Sequence, residues 1–445
     1  SAGTWQGVVF SDATLGPQGQ LTAVDQPSDD IKNVALGDAL LIDTGPDPSR
    51  VTGRAQFLLW LGVDGTLWLR DGDSGEVLWR WQPTVWQAHR ARLTSQPAAL
   101  RPEQLRPHAL QLWSDEQGQR IAYVVLAGQL LAIDLRQPTQ PKLLPWALTG
   151  LAVDSVSLIP KALKSAANMS TPELLIGVRQ APSEPTLRQT HLVRVNGISG
   201  AILWRAEADN DPPQWPMPWT FITWQQSLRA YGVDSNGRTW RLQASASDGT
   251  FSNPIVIAQL SEGRAELDVL VSPNASIQSD ANGRRRVALS LATRAPHNAG
   301  VTLSAWLDDE RSTALTLSTL PLWATPSAAP THDIGWQRQF SPNQELGLSP
   351  RWLDGRVVLT LETILTPKSL CLAAEVNTRL YELAWRTGSS AVAIKEADLG
   401  TSPTQLVAPV LTEEGKLHWL GQTKPDSGLS INAYRRRLRK TPSTD

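Results

Sequence analysis

The chain has 445 residues and an almost balanced charge, with 41 basic and 42 acidic side chains. This balance gives no indication of a strongly basic face for nucleic acid, and it excludes a polyanionic character. The length is enough for two or three ordinary domains, or for one propeller of six to eight blades at ~40–50 residues each. No apolar run of about 18 residues occurs, so the sequence predicts no transmembrane segment.

Four stretches follow one template: an apolar strand, a tight Gly/Asp/Asn turn, a strand with Trp or Leu, and a second polar turn. They are residues 58–83, 122–138, 190–207 and 228–243. A small sheet that recurs along a chain cannot bury its faces alone, and stacking around an axis solves this, so the repeat predicts a β-propeller. The 19 tryptophans, against five Phe and four Tyr, are interpreted mainly as packing residues between blades.

Further strand pairs follow in the second half of the chain. They are residues 285–294 with 300–323, 354–365 with 378–397, and 408–425 with 430–438. The fold class predicted is all-β: a modified propeller of about seven blades, with a few inserted loops and short helices, forming one domain over residues 1–445. Residues 1–55 are expected to contribute closing strands, the termini to share one blade, and residues 439–445 to be a polar tail.

Motifs that would indicate catalysis do not occur in the sequence. The six histidines show no HxH or HxxxH spacing, and the single cysteine, Cys371, has no partner for a disulfide or a CxxC site. There is no GxSxG, HExxH, GxxxxGK[ST] or GxGxxG. The sequence therefore predicts no catalytic residue and a protein that is not an enzyme.

Two acidic loops are weak metal candidates. Asp71 and Asp73 alternate in DGDSGE, and Asp209 and Asp211 alternate in DND. Alternate carboxylates can point at one calcium ion, but a hairpin turn between two strands explains the first loop equally well. The prolines after Asp211 fit a rigid solvated loop, so no metal site is predicted firmly and no cofactor is expected.

The densest Pro/Trp segment, residues 209–219, supplies the partner-binding hypothesis. Its candidate residues are Pro213, Trp215, Pro216 and Trp219. Prolines exclude it from a central strand and lower the entropy lost on binding, and exposed tryptophans give a large contact area. In the alternative interpretation, both tryptophan rings cover the rim of the propeller core.

The run LWLGVDGTLWLRDGDSGEVLWRWQPTVW resembles the opening blade of the C-terminal domain of the PilY family, the type IV pilus tip-associated adhesins and biogenesis factors. Three later segments agree in order: LRPHALQLWSDEQGQRIAYVVLAGQLLAIDL, AYGVDSNGRTWRLQ and residues 333–371. The resemblance is spread over residues 56–438. Single segments are weak, and the ordered set is moderately specific.

The sequence departs from the family pattern in one place. Upstream of the G-D-x-x-G-x-L-W-R hallmark the family usually carries a D-x-[DN]-x-D-G calcium loop, whereas residues 220–232 read TFITWQQSLRAYG. Trp224, Gln225 and Gln226 stand where carboxylates would be, and none of them can neutralise a divalent cation. Calcium is therefore left open as a cofactor, because residues 220–232 are a degenerate form of the family's calcium loop.

The resemblance implies a non-catalytic pilus biogenesis factor that binds minor pilins at the pilus tip. It further implies promotion of extension over retraction, adhesion to a host or abiotic surface, twitching motility, and a location from the periplasm to the cell surface.

Two alternatives to this function stay open. One is a periplasmic quinoprotein-like dehydrogenase with calcium and pyrroloquinoline quinone, since Asp73 to Trp79 partly follow its D-x-x-[ST]-G-x-x-x-W repeat. The other is an outer-membrane assembly scaffold.

Overall fold

The computed structural model describes most of the chain between residues 40 and 419. The described residues are 40–50, 53–62, 65–74, 76–83, 110–126, 128–144, 151–160, 171–180, 192–206, 215, 217–245, 250–260, 268–280, 282–294, 300–308, 310, 314–322, 334–347, 349–353, 355–365, 375–385, 394–403, 409–411 and 417–419. Strands dominate this part, and its one helical element is a 3₁₀ turn at Leu317–Thr319. Among these residues no helix has the length and hydrophobicity needed to span a membrane.

The first three sheets are four-stranded antiparallel meanders, and each is one blade. Blade 1 contains β1 (Leu40–Pro46), β2 (Arg54–Leu61), β3 (Leu67–Asp71) and β4 (Val77–Trp81). Blade 2 contains β5 (Leu110–Ser114), β6 (Arg120–Leu126), β7 (Gln129–Asp134) and β8 (Lys142–Leu143). Blade 3 contains β9 (Leu151–Leu158), β10 (Glu173–Gln180), β11 (Leu192–Asn196) and β12 (Ile202–Arg205).

Blades 4 to 6 keep the meander and each add a fifth strand. Blade 4 contains β13 (Thr220–Trp224), β14 (Ser227–Val233), β15 (Arg238–Gln243), β16 (Ile255–Gln259) and β21 (Leu315–Thr316). Blade 5 contains β17 (Asp268–Val269), β18 (Asn274–Ser279), β19 (Arg285–Arg294), β20 (Val301–Asp308) and β22 (Gly335–Gln339). Blade 6 contains β23 (Gln344–Leu346), β24 (Arg351–Leu353), β25 (Arg356–Leu365), β26 (Glu375–Ala384) and β27 (Ile394–Pro403).

The extra strands have a simple origin. In blade 5, β17 and β18 both pair with β19, at opposite ends of that strand, so they form one interrupted strand. In blade 6, β23 and β24 pair with β25 in the same way. In blade 4, β21 pairs in parallel with the outer strand β16.

The all-β propeller prediction is confirmed, and the number of blades is corrected to six in the described part of the chain. The seventh predicted unit supplies only a two-stranded sheet there, β28 (Pro409–Leu411) with β29 (Leu417–Trp419), and its other half, residues 430–438, lies outside the described residues. β1 pairs with β2 and so completes blade 1. Residues 1–39 and 439–445 also lie outside the described part.

Neighbouring blades share hydrophobic clusters, which join all six blades in chain order. Leu59 and Leu69 of blade 1 pack with Val124 and Leu131 of blade 2, and four further clusters join blades 2 to 6 in turn. This follows from the strand pattern, because alternate side chains face opposite sides of a blade. The structure describes 15 of the 19 tryptophans, and 12 of these are buried, which is the packing role that the composition predicts.

A D-x-x-G turn recurs between strands of blades 2, 4 and 5. It begins at Asp115, Asp234 and Asp280. In each turn one carboxylate oxygen accepts the backbone N–H groups of the second and fourth following residues, at 2.7–3.0 Å. The glycine has φ of 81°, 74° or 74°, a left-handed conformation in which side chains are disfavoured. These acidic residues therefore build the hairpins.

Candidate functional site

The first acidic loop is a hairpin turn between β3 and β4. Asp71 is buried, and its Oδ1 accepts the backbone N–H groups of Asp73 and Ser74, each at 3.0 Å. Its Oδ2 accepts a hydrogen bond from the guanidinium of Arg50. Burial raises the pKa of Asp71, but these hydrogen bonds outweigh it and hold the pKa below its usual value. The turn and Arg50 thus engage both oxygens of this carboxylate.

The second acidic loop stays untested by the structure. Asp209 and Asp211 lie outside the described residues, as does Cys371. In the part of the chain that the structure describes, no three His, Cys, Asp or Glu side chains are grouped so that they could hold a metal ion.

Trp215 and Trp219 lie in the core between blades 3 and 4. Their exposed fractions are 1% and 3%, and their ring centroids are 4.8 Å apart. Trp215 also meets Trp240 edge-on, at 5.4 Å. The burial supports the packing alternative: a partner can reach these two rings only by opening the blade interface. Pro213 and Pro216 lie outside the described residues.

Two glycines make room for these rings. A Cβ at Gly177 would lie 2.6 Å from the Cβ of Trp215, and a Cβ at Gly232 would lie 2.4 Å from Cε2 of Trp219. Both distances are shorter than real Cβ contacts. Gly232 is the glycine of the AYGVDSNGRTWRLQ segment, so packing of Trp219 explains why this position has no side chain.

The hallmark turn of blade 4 is held by a fully buried carboxylate. Asp234 is 0% exposed, and besides its two turn hydrogen bonds its Oδ2 accepts from Arg238 Nε at 2.6 Å and Trp240 Nε1 at 2.9 Å. The Arg238 guanidinium lies 5.1 Å from the Trp240 ring centroid. The residues that carry the resemblance in this segment therefore act in packing.

The other turn of β14 is built differently. Trp224 pairs with Ser227, so the hairpin from β13 to β14 has the two-residue turn Gln225–Gln226. Both glutamines are left-handed, with φ of 47° and 63°. Such turns favour Asn-Gly, and each left-handed residue with a long side chain costs on the order of 1 kcal/mol or more. This is the segment in which the resemblance would place a calcium loop.

A cleft of about 600 Å³ lies beside this strained turn, and we name it the blade-4 cleft. Amide and hydroxyl side chains line it: Gln225, Gln243, Ser227, Ser245, Thr250 and Ser252. Arg229, Ala244 and Phe251 complete the lining and are buried. The exposed groups form the rim and the buried ones the floor.

An ion-pair network lies at the floor of the blade-4 cleft and joins it to blade 5. Arg229 Nη1 is 3.5 Å from Asp308 Oδ2, and its Nη2 is 2.5 Å from Glu310 Oε1. Arg241 Nη1 donates to both oxygens of Asp308, at 2.6 and 2.8 Å, and the Tyr231 hydroxyl donates to Oδ2 at 2.7 Å. Two guanidinium groups thus face two carboxylates, so the network is neutral overall.

The electrostatics keep Arg229 and Tyr231 in their usual charge states. Burial lowers the pKa of Arg229, but the hydrogen bond to Glu310, with smaller contributions from Tyr231 and Asp308, outweighs it, so the net pKa lies above the usual value. Burial raises the pKa of Tyr231, and the nearby Asp308 raises it further. Tyr231 is therefore a neutral donor across the physiological pH range.

Among the described residues six carboxylates are buried, and five of them contact arginine. These five are Asp71, Asp134, Glu173, Asp234 and Asp308. The sixth, Glu362, lies opposite Glu345 in the β23–β25 pair, and its Oε2 has no hydrogen-bond partner in the described part. Burial, with a contribution from Glu345, raises the pKa of Glu362 to about 7.

Sequence reasoning missed the blade-4 cleft and the ion-pair network. The network joins residues 79 positions apart in the chain, such as Arg229 and Asp308, and no local pattern marks that contact. The cleft does have a signal. Gln225–Gln226 joins two strands without the glycine or asparagine that a two-residue turn favours, and a Ser-rich stretch follows β15.

Comparisons with known proteins give weak structural similarity only. No protein-family model matches the chain, and no curated protein matches it. The WD40 domain of SCAP from fission yeast is similar at a TM-score of 0.37 and 10% identity, covering 86% of this chain and 92% of that one. A quinohemoprotein alcohol dehydrogenase from Pseudomonas putida is similar at 0.35 and 12%, covering 88% and 59%. The dihydro-heme d1 dehydrogenase NirN is similar at 0.38 and 12%, covering 90% and 74%. Similarities at this level carry no argument about function.

Proposed function

We propose that this chain is a non-catalytic binding propeller of the PilY type, which acts in type IV pilus biogenesis at the pilus tip. Minor pilins are its partners, and its effect is to favour pilus extension over retraction, with adhesion and twitching motility as consequences. A location from the periplasm to the cell surface follows from this role.

The observation that carries the proposal is the ordered resemblance together with its place in the fold. The first segment falls on β2–β4 of blade 1, the second on β5–β7 of blade 2, and the third on β14–β15 of blade 4. Residues 333–371 run from β22 of blade 5 into β25 of blade 6. The segments that agree in order thus each include strands and the turn between them, in blades 1, 2, 4 and 5–6.

The use of acidic residues is in line with a binding role. Five of the six buried carboxylates in the described part contact arginine, and Asp115 and Asp280 cap their own turns. A hydrolase or a quinoprotein would need carboxylates that face a pocket with free lone pairs. The carboxylates of these turns and ion pairs instead hold strands and blades together.

The test is a pilus count in a strain that lacks this chain, with and without the retraction motor. Loss of pili that returns when retraction is disabled is the expected result, and wild-type piliation in the deletion strain would refute the proposal. In a parallel experiment, the purified chain is expected to retain minor pilins. Retention of outer-membrane assembly subunits, or dye-linked alcohol oxidation after addition of pyrroloquinoline quinone and calcium, would favour the alternatives.

A further inference from the structure

The blade-4 cleft has the size and shape of a small-molecule site. Its volume of about 600 Å³ falls within the ~300–1,000 Å³ typical of ligand pockets. It is open to solvent at a rim of exposed side chains and closed by a floor of buried ones.

The charge of the lining points to an uncharged ligand. Arg229 is the charged residue of the lining, and its guanidinium is already paired with Asp308 and Glu310. An anion in the cleft would compete with two carboxylates for that guanidinium, and a cation would find no carboxylate among the described residues of the lining. A neutral ligand meets neither cost.

The hydrogen-bonding groups of the lining suit a polyhydroxyl compound. The two glutamine amides each offer donors and acceptors, and the exposed Ser245, Thr250 and Ser252 carry hydroxyls, a group that can do both. The buried Ser227 hydroxyl already donates to the Trp224 carbonyl oxygen at 2.9 Å. A sugar hydroxyl needs this mixture, because it also donates and accepts. Phe251 adds an apolar wall for the C–H groups of a sugar ring, and the Trp204 ring fixes its position at 5.7 Å.

An extended peptide fits this place less well than a sugar. Peptides that add to a sheet bind through the main chain of an open edge strand. The outer strand of blade 4, β16, pairs with β21, and the lining groups of the cleft that can reach a ligand are side-chain amides and hydroxyls.

The strained turn lies at the rim of the cleft, and stability does not explain its residues. Gln225 and Gln226 hold left-handed conformations that glycine would adopt without strain. Strain retained at a cleft rim is typical of ligand sites, where it positions a side chain. Gln225 lines the cleft, and its neighbour Gln226 does not.

We propose that the blade-4 cleft binds a neutral saccharide unit, with the Gln225 and Gln243 amides and the Ser252 hydroxyl as its hydrogen-bonding groups. This inference is independent of the pilus role, since it concerns a different ligand and a different measurement.

The test titrates the purified chain with methyl glycosides of glucose, galactose, mannose, fucose and N-acetylglucosamine, with sialic acid as the charged comparison. Binding is followed by saturation-transfer NMR and calorimetry. At least one neutral glycoside is expected to bind, and Gln225→Gly is expected to weaken it at least about tenfold, the effect of losing one to two hydrogen bonds.

Gln226→Gly is the matched control, because it relieves the same turn without touching the cleft. Its affinity for the glycoside is expected to stay within about twofold of wild type, within the usual spread for a change that removes no contact. Thermal melting of both variants shows that they are folded. The proposal is overturned if no neutral glycoside binds the folded chain, if sialic acid alone binds, or if Gln225→Gly leaves the affinity unchanged. Gln225-dependent binding of a minor pilin without any glycoside binding would assign the cleft to a protein partner instead.

Discussion

The two turns that flank β14 in blade 4 perform the same task with opposite choices of residue. The turn after β14 has Gly237 at its left-handed position, with φ of 74°. The Asp234 carboxylate accepts the backbone N–H groups of Asn236 and Arg238 in this turn. The turn before β14 has Gln225 and Gln226 in left-handed conformations. The turn after β14 thus has glycine where the backbone is left-handed, whereas the turn before β14 has two glutamines there.

The difference separates what the propeller needs to fold from what its surface carries. The Asp234 turn ties Arg238 and Trp240 to the core, so its residues are explained by packing and hydrogen bonding alone. The glutamine turn gains nothing comparable in the core, and it stands at the rim of the blade-4 cleft. Strain that stability does not explain is where a binding role is to be sought.

Buried carboxylates show the same contrast. Asp234 has four donors at 2.6–2.9 Å, whereas Glu362 has one oxygen without a partner in the described part and a second carboxylate, Glu345, opposite it. We therefore expect the loss of the fully hydrogen-bonded Asp234 carboxylate to cost stability, and the partly unpaired Glu362 carboxylate to make stability depend on pH.

Asp234→Ala is expected to have the largest effect, a loss of about 4 kcal/mol in the free energy of unfolding, because four hydrogen bonds and a buried ion pair disappear together. Urea denaturation measures it. Asp280→Ala removes the same turn motif at a half-buried position in blade 5 and should destabilise less. Equal losses in the two variants would show that burial of the carboxylate does not matter.

Glu362 is expected to make stability depend on pH. Its folded pKa of about 7 lies above the ordinary value of 4.5, so the folded state holds the proton more tightly than the unfolded state. Stability should therefore fall by about 3 kcal/mol as pH rises through this window. Glu362→Gln should flatten the curve of unfolding free energy against pH. A wild-type curve that rises across the window would contradict the assignment.

Gly232→Ala is expected to destabilise by about 2 kcal/mol through overpacking against the Trp219 ring. A double-mutant cycle with Trp219→Leu checks the cause, because the smaller side chain leaves room for the added methyl group. The cost of Gly232→Ala should drop by more than half in that background. An unchanged cost would mean that the added methyl group does not clash with the Trp219 ring.

Gln226→Gly is expected to have the smallest effect, a gain of about 0.5 kcal/mol, since relief of the left-handed strain exceeds the extra entropy of the unfolded chain. Gly283→Ala makes the opposite change, because it adds a side chain at a left-handed position. Gly283 has φ of 74°, and no atom lies within 4 Å of an added Cβ. Thermal melting should show a loss of similar size. A Gln226→Gly variant less stable than wild type would mean that this side chain supports the fold.

Local patterns in the sequence predicted the strands well. Residues 228–243 became β14 and β15, and residues 285–294 coincide with β19, because alternation and turn residues act over a few positions. The strands β9 and β10 of blade 3 were not predicted as units.

The candidate site was predictable only in part. Asp71 was weighed as a hairpin residue, and the structure places it in a turn. Trp215 and Trp219 were weighed as exposed contacts and, in the alternative, as rings that cover the rim of the core; Gly177 and Gly232 make space for them in the core between blades 3 and 4. A Pro/Trp-rich segment looks the same whether its rings face solvent or a blade interface.

The sequence by itself determined that this chain is a repeated β-sheet protein with acid- and glycine-built turns, because those features depend on neighbours a few residues apart. Only the tertiary structure decided the six described blades, the burial of the tryptophans, the Arg229–Asp308 network and the blade-4 cleft. Each of these arises where strands distant in the chain meet. Their energies depend on contacts that no short stretch of residues contains.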